Sequence, residues 1–169
     1  MDLTLVPPFP IYPPETAWMR QPSSSVPALI LNESAGGRVA YLAADLDRTF
    51  ARSRLPDHAR LLANIVRWAA SDRVPLSVEG SGFIHAQLYR QGGNLILHLV
   101  NLTGHEVGSV PAHEYIPVGP LTVRLHAPES SGSQSAQCLV SGQFVATERD
   151  GEWLHFTLDQ VVDHEVVVV

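Results

Sequence analysis

The sequence predicts a mainly β (α+β) chain: an antiparallel β-sandwich of about 7–8 strands at the C-terminus, preceded by a β-hairpin and one amphipathic α-helix. Three observations predict it. Apolar residues repeat with the helical period of 3.6 only over Pro56–Ala70. Beyond Val74-Pro75 the period changes to 2, with side chains alternating between two faces. Turn signals then recur at short intervals, among them Gly92-Gly93 and Asp150-Gly151.

The first 25 residues hold six of the 13 prolines, Pro7, Pro8, Pro10, Pro13, Pro14 and Pro22. Proline fixes φ and lacks an N–H, so this stretch is neither helix nor central strand. Phe9, Ile11, Tyr12 and Trp18 lie within it. An extended arm that buries these rings across a surface is expected, the alternative being the partly disordered tail of a larger domain. Pro27–Leu31 and Arg38–Leu42 flank the polar, Gly-rich segment from Asn32 to Gly37 and read as a hairpin. Asp45–Phe50 reads as a loop or a short helical turn. In the helix, Leu61, Leu62, Ile65, Trp68 and Ala69 share one face. Pro56 suits its first turn, and Asp57 complements its dipole there. Pro75 disfavours helical geometry at Val74, which sets a boundary between domains 1–74 and 75–169.

In the second domain Phe83–Tyr89 alternates, with Ile84, Ala86 and Leu88 on one face. Two glycines make the turn after Gln91, because they tolerate positive φ. Leu95–Val100 is apolar on nearly both faces, which places it centrally. Leu121, Val123 and Leu125 alternate with Thr122, Arg124 and His126. Asp150-Gly151 is expected to join Phe144–Thr147 to Trp153–Leu158 as a hairpin. The last strand, Glu165–Val169, ends in four valines, which predicts a chain end paired inside a sheet. Ser130-Ser131-Gly132-Ser133 reads as an exposed loop.

Composition narrows function. Apolar content of 45% and charged content of 17% describe a globular chain of 169 residues. A net charge of −6 argues against nucleic acid, which needs clustered cations. All 11 cations are arginine, so no Schiff-base or P-loop lysine is available. Cys138 is the single cysteine and reads as a small buried hydrophobe rather than a nucleophile. No membrane-length apolar run and no basic leader appear, so a cytoplasmic chain without membrane contact is the expectation.

No catalytic, cofactor or metal site stands out, and no cofactor is expected. Asp45 and Asp47 could form a carboxylate pair, but an i, i+2 pair after a strand is ordinarily a turn or a helix cap. Asp163-His164-Glu165 invites a triad or metal reading, yet neighbours on a strand point to opposite faces. The histidines, His58, His85, His98, His105, His113, His126, His155 and His164, lack zinc spacing. His85, His126 and His155 each fall on the polar face of a strand and could cluster if those strands are neighbours. Tyr89, Phe83 and Trp153 sit on expected outer faces, where they could stack on sugar rings or pack against the helix or the arm. The candidate ligand-binding residues are Tyr89, Trp153, His85 and His155. Asn32-Glu33-Ser34 and Asn101-Leu102-Thr103 match the glycosylation pattern.

Several stretches carry a family resemblance. They are Pro7-Pro8-Phe9-Pro10, Tyr12-Pro13-Pro14-Glu15, Gly37–Arg48 and Leu55-Pro56-Asp57-His58. Further on come Leu62-Ala63-Asn64, Arg67-Trp68-Ala69, His98–Thr103, Ile116–Pro120 and Asp163–Val168. Together the chain resembles the C-terminal region of bacterial glycoside-hydrolase-like proteins. Those proteins have a β-galactosidase trimerisation domain, similar to class I glutamine amidotransferases, followed by a C-terminal β-sandwich. The resemblance implies that residues 1–74 match only the final hairpin and helix of the amidotransferase-like domain, and that no catalytic residue of the family has a counterpart. It implies a non-catalytic accessory or oligomerisation module. The alternatives are a carbohydrate-binding module using exposed aromatics and a small hydrolase with a site near Asp45/Asp47. A helix and hairpin without their sheet would expose Leu61, Leu62, Ile65 and Trp68, so a homo-oligomer or an upstream catalytic domain is the expected partner.

Overall fold

The computed structural model describes residues 3–34, 36–104, 114–128 and 134–169. His105, His113 and the Ser130–Ser133 loop lie outside the described residues. The chain divides into two compact units, 1–74 and 75–169.

In the first unit the arm pairs with the segment leading into the hairpin. Leu5 N–H donates to Val26 O at 2.9 Å and Ala28 N–H to Leu3 O at 2.8 Å. A single 3-10 turn, Pro14–Thr16, follows. The arm's apolar side chains are not buried: Ile11 is 86% and Tyr12 81% exposed, and Phe9 and Trp18 are also exposed. The expectation that the arm buries these rings is therefore not met. Strands β1 (Leu29–Ser34) and β2 (Gly37–Leu42) form an antiparallel hairpin with Ser34 opposite Gly37.

Helix α1 spans Leu46–Ser53 and α2 spans Pro56–Ala69. The first is two turns of helix where the sequence suggests a loop or a single turn. Thr49 N–H and Oγ1 both reach Asp45 O, which starts the helix, and Arg54 in the left-handed region ends it. Leu55 precedes Pro56 with extended geometry, as the residue before proline prefers. Arg38 ties β2 to α2: its Nη1 donates to Trp68 O at 3.2 Å and its guanidinium lies 5.4 Å from the Trp68 ring centroid. None of the described residues of this unit is buried. Leu61, Leu62, Ile65 and Trp68 are half-buried, while Ile30, Val39 and Tyr41 share one exposed hairpin face.

The second unit contains, among the described residues, nine strands. They are β3 (Leu76–Gly80), β4 (Ile84–Gln91), β5 (Asn94–Asn101), β6 (Leu121–His126), β7 (Ser135–Cys138), β8 (Phe144–Ala146), β9 (Glu148–Asp150), β10 (Trp153–Leu158) and β11 (His164–Val168). They form two antiparallel sheets, ordered β3-β6-β10-β9 and β4-β5-β11-β7-β8. The fold is a mainly β sandwich, as the sequence predicts. Alternation supplies its core. Leu97 and Leu99 of β5 and Val167 of β11 pack in one cluster with Val123 and Leu125 of β6 and Leu154 and Phe156 of β10. Gly92 and Gly93, at φ 57° and 91°, close the two-residue turn between β4 and β5.

The terminal valines are paired on both sides, with β11 between β5 and β7, and Val169 exchanges both backbone bonds with Leu95 at 2.9 Å. One expected pairing is wrong. Phe144–Thr147 does not pair with Trp153–Leu158. β8 pairs with β7 in the five-stranded sheet, the chain crosses at Thr147, and the short β9 makes the Asp150-Gly151 hairpin with β10. No turn residue separates β8 from β9 in the sequence, so only the two-sheet topology divides them.

Leu97 is fully buried. Leu97→Ala should lower the unfolding free energy in urea by about 3 kcal/mol. Gln137→Ser, at an exposed position of β7, should stay within about 0.5 kcal/mol of the parent. Equal effects of the two would contradict this placement of the core.

Candidate functional site

With the inner faces buried, chemistry is left to the outer faces and the loops. On the outer face of the four-stranded sheet the register sets Ser77, Arg124, His155 and Glu148 in one row across β3, β6, β10 and β9. The next row holds His126, Trp153 and Asp150. Residues of the two rows stack. The Arg124 guanidinium lies 3.8 Å over the Trp153 ring centroid, and the His126 ring is 5.0 Å from it, tilted by 58°. His126 Nε2 is 3.1 Å from Glu152 Oε2. Such a cation–ring contact contributes about 0.5–1 kcal/mol at an exposed position.

Beside this stack lies a shallow cleft of about 540 Å³ lined by Thr122, Glu148, His155 and Thr157 together with apolar Val145 and Phe156. His155 Nε2 is sealed from solvent and has no hydrogen-bond partner.

Of the four sequence candidates, Trp153 and His155 thus share one outer face. Tyr89 and His85 lie on β4, on the outer face of the other sheet. The sandwich therefore separates the four into two pairs on opposite surfaces. Tyr89 packs edge-on against His98 with centroids 5.5 Å apart and donates its hydroxyl to Gln87 Oε1. The three histidines considered as a cluster divide in the same way: His126 and His155 share a face, and His85 does not.

A second cavity, about 320 Å³, lies between the β7–β8 turn and the segment joining β10 to β11. Ser141, Asp159, Asp163, His164 and Glu165 line it. The Asp163-His164-Glu165 residues do not converge as a triad. His164 Nδ1 is 3.3 Å from Asp163 Oδ2, and both are exposed. Glu165 is only 5% exposed. Its carboxylate accepts the N–H groups of Val140 at 2.9 Å, Ser141 at 3.1 Å and Val166 at 2.8 Å. Burial pushes the Glu165 carboxyl up, but these N–H groups and the Ser141 hydroxyl outweigh it and hold the group below its ordinary value. Glu165 is a buckle between β11 and the turn after β7. Cys138, beside it in the core, is 2% exposed; burial, and then the Glu165 charge, push its thiol up and away from reactivity.

Asn101 is the other buried polar residue among those described, at 2% exposure. Its Nδ2 donates to Ile116 O, Val161 O and Val162 O at 2.8, 3.2 and 2.7 Å, and its Oδ1 accepts Thr103 N–H at 3.0 Å. The glycosylation pattern Asn101-Leu102-Thr103 is therefore closed in the folded chain, because the atom a glycan needs already serves three carbonyls. Asn32, in the other pattern, is exposed on β1.

Asp45 and Asp47 both stand exposed at the start of α1. Asp45 pairs with Arg48 at 3.0 Å. The Arg48 N–H, and then the Asp45 carboxyl, hold Asp47 below its ordinary value. A general acid needs the opposite shift. Among the described residues no group of three or more His, Cys, Asp or Glu is arranged to hold a metal ion. No helix among them is long and apolar enough to cross a membrane.

The roles of Arg124, Glu165 and Asn101 escape sequence reasoning. Arg124 does carry a signal, because a single arginine alternating with Val123 and Leu125 shares the face of His126. Glu165 and Asn101 carry none, since most of their partners are backbone groups far away in the chain.

The Glu165 buckle predicts a pH dependence. The folded carboxyl titrates below the unfolded one, so its stabilisation is present above the unfolded pKa and is lost as pH falls through the folded pKa. Glu165→Gln should cost about 2 kcal/mol at neutral pH, and the gap to the parent should shrink as acid protonates Glu165. Chemical denaturation across that range measures it; a gap independent of pH would contradict the buckle. In a glycosylating host, mass spectrometry should find Asn101 unmodified.

Comparisons with known proteins place the fold. No family model matches the chain, and no curated protein matches it. Among solved structures, the chain is similar to alpha-L-fucosidase isoenzyme 2 from Paenibacillus thiaminolyticus, at 21% identity and a TM-score of 0.68 over 88% of this chain. That match takes in 23% of the fucosidase chain, so this chain spans about a quarter of its length. A cycloisomaltooligosaccharide glucanotransferase of Paenibacillus sp., in complex with cycloisomaltoheptaose, aligns over 56% of this chain and 16% of its own at 13% identity. Its TM-score of 0.44 is too low to carry an argument.

Proposed function

We propose that this chain is a non-catalytic accessory module of a glycoside-hydrolase-like protein, with residues 1–74 serving in oligomerisation or in docking to a catalytic domain. The observation that carries the reading is where buried polar chemistry goes. The two buried polar side chains among the described residues, Asn101 and Glu165, each hold loops through backbone groups. The ionisable pairs Asp45–Arg48, Asp163–His164 and His126–Glu152 stand at the surface. The fold shared with part of a fucosidase supports a carbohydrate-active setting.

The first unit supports the docking role. A compact unit without a buried residue among those described gains little from the hydrophobic effect alone. Its half-buried helix face and the exposed Ile30, Val39 and Tyr41 suit contact with more protein. This suits the hairpin and final helix of an amidotransferase-like domain.

Two measurements test the proposal. Purified chain should release no chromophore from a panel of aryl glycosides; turnover abolished by Asp45→Asn or Asp47→Asn would replace this reading with a hydrolase. Sedimentation should show an oligomer, and Val39→Ser combined with Tyr41→Ser should shift it towards monomer while the sandwich still unfolds cooperatively. A parent chain that is monomeric at every accessible concentration would remove homo-oligomerisation.

A further inference from the structure

We infer that the outer face of the four-stranded sheet, from the Arg124–Trp153 stack to the His155 cleft, is a binding platform for a neutral saccharide. The inference rests on the accessory-module reading only for its carbohydrate setting; the chemistry is the platform's own.

Four features carry it. First, the strand register sets the platform's layout. The strand register fixes Arg124, His126, Trp153 and His155, and stacking at 3.8 Å orients the guanidinium against the indole. A pyranose offers one flat C–H face and a rim of hydroxyls, and a half-exposed aromatic and guanidinium surface fits the flat part.

Second, the polar groups beside the stack are unsatisfied. Arg124 forms no ion pair among the described residues, so its N–H groups remain available as donors. His155 Nε2 has no partner. A buried nitrogen left without one is destabilising, and a ligand hydroxyl would offset that.

Third, the cleft offers both hydrogen-bonding senses in one place. The Glu148 carboxylate accepts, and the Thr122 and Thr157 hydroxyls donate or accept. Hydroxyls require such a mixture, since each both gives and takes a proton. The cleft's volume of about 540 Å³ lies in the range of small-ligand sites.

Fourth, charge selects among saccharides. Glu148 shares the row of Arg124, Asp150 stands in the next, Glu152 pairs with His126, and Glu79 lies on β3. Among the described residues acidic groups outnumber the one permanent cation of this face, so a uronate or sulfated sugar would meet repulsion. A neutral sugar would not.

Calorimetric titration of the full chain tests this. The probes are cellotriose, galactotriose and methyl α-L-fucoside, with trigalacturonate as the anionic control. At least one neutral probe should bind saturably, with Kd on the order of 1 mM or below. Trp153→Ala and His155→Gln should each weaken it at least about fivefold, while Tyr89→Ala on the opposite sheet leaves it unchanged. Thr157→Val, an exposed change that leaves the core intact, guards against a folding defect and should also weaken binding. No saturable binding of any neutral probe, binding indifferent to all three platform variants, or preference for trigalacturonate would each overturn the platform. Hydrolysis of a bound probe would overturn the accessory reading and leave the platform standing, so the two failures are distinct.

Discussion

One sealed apolar layer governs residues 75–169. Leu97 and Leu99 from one sheet and Val123, Leu125 and Leu154 from the other are excluded from water, and the other features of the sandwich are arranged around that layer. Because strand side chains alternate, filling the inner faces commits the remaining residues to the two outer faces. The polar row of Arg124 and His155 exists because Val123, Leu125, Leu154 and Phe156 point the other way. A one-residue slip of β10 against β6 would exchange the two sets and destroy the core together with the platform.

The same layer explains the two buried polar residues. A sandwich closed at its ends by long connections must hold those connections down without leaving backbone groups unpaired. Asn101 does this at one place by collecting three carbonyls, and Glu165 at another by collecting N–H groups. The side-chain chemistry suits each place, since an amide donates to carbonyls and a carboxylate accepts from N–H groups. Both residues are satisfied by the backbone, which leaves reactive chemistry to the surface.

The two units differ in kind. Residues 75–169 enclose their own core, whereas none of the described residues of 1–74 is buried. The α1 and α2 helices use proline geometry, a left-handed stop at Arg54 and the Arg38–Trp68 tie. Helices of this length are marginal unless packed. The unit therefore has reason to associate, and the proposed module role assigns a use to surface that would otherwise be a liability.

Elements whose signals are local are legible in the sequence. Period and turn residues locate α2, the β4–β5 and β9–β10 turns, the central β5 and the buried final strand. The Val74-Pro75 junction is visible from proline chemistry. The full length of α1 is not, because its start depends on a backbone acceptor at Asp45 and not on a side-chain cap. Trp153 and His155 are visible as outer-face residues, but their company is not. Periodicity tells which face a residue takes on its own strand; it carries no information on which strands become neighbours. Long-range pairing makes that assignment. It separates Tyr89 and His85 from Trp153 and His155, joins β8 to β7 instead of β10, and sets Arg124 over the indole of Trp153 on the adjacent strand. The sequence by itself determined the alternation and the turns, since both are properties of adjacent residues. Only the tertiary structure decided the partners, because sheet order is set by how the whole apolar layer closes.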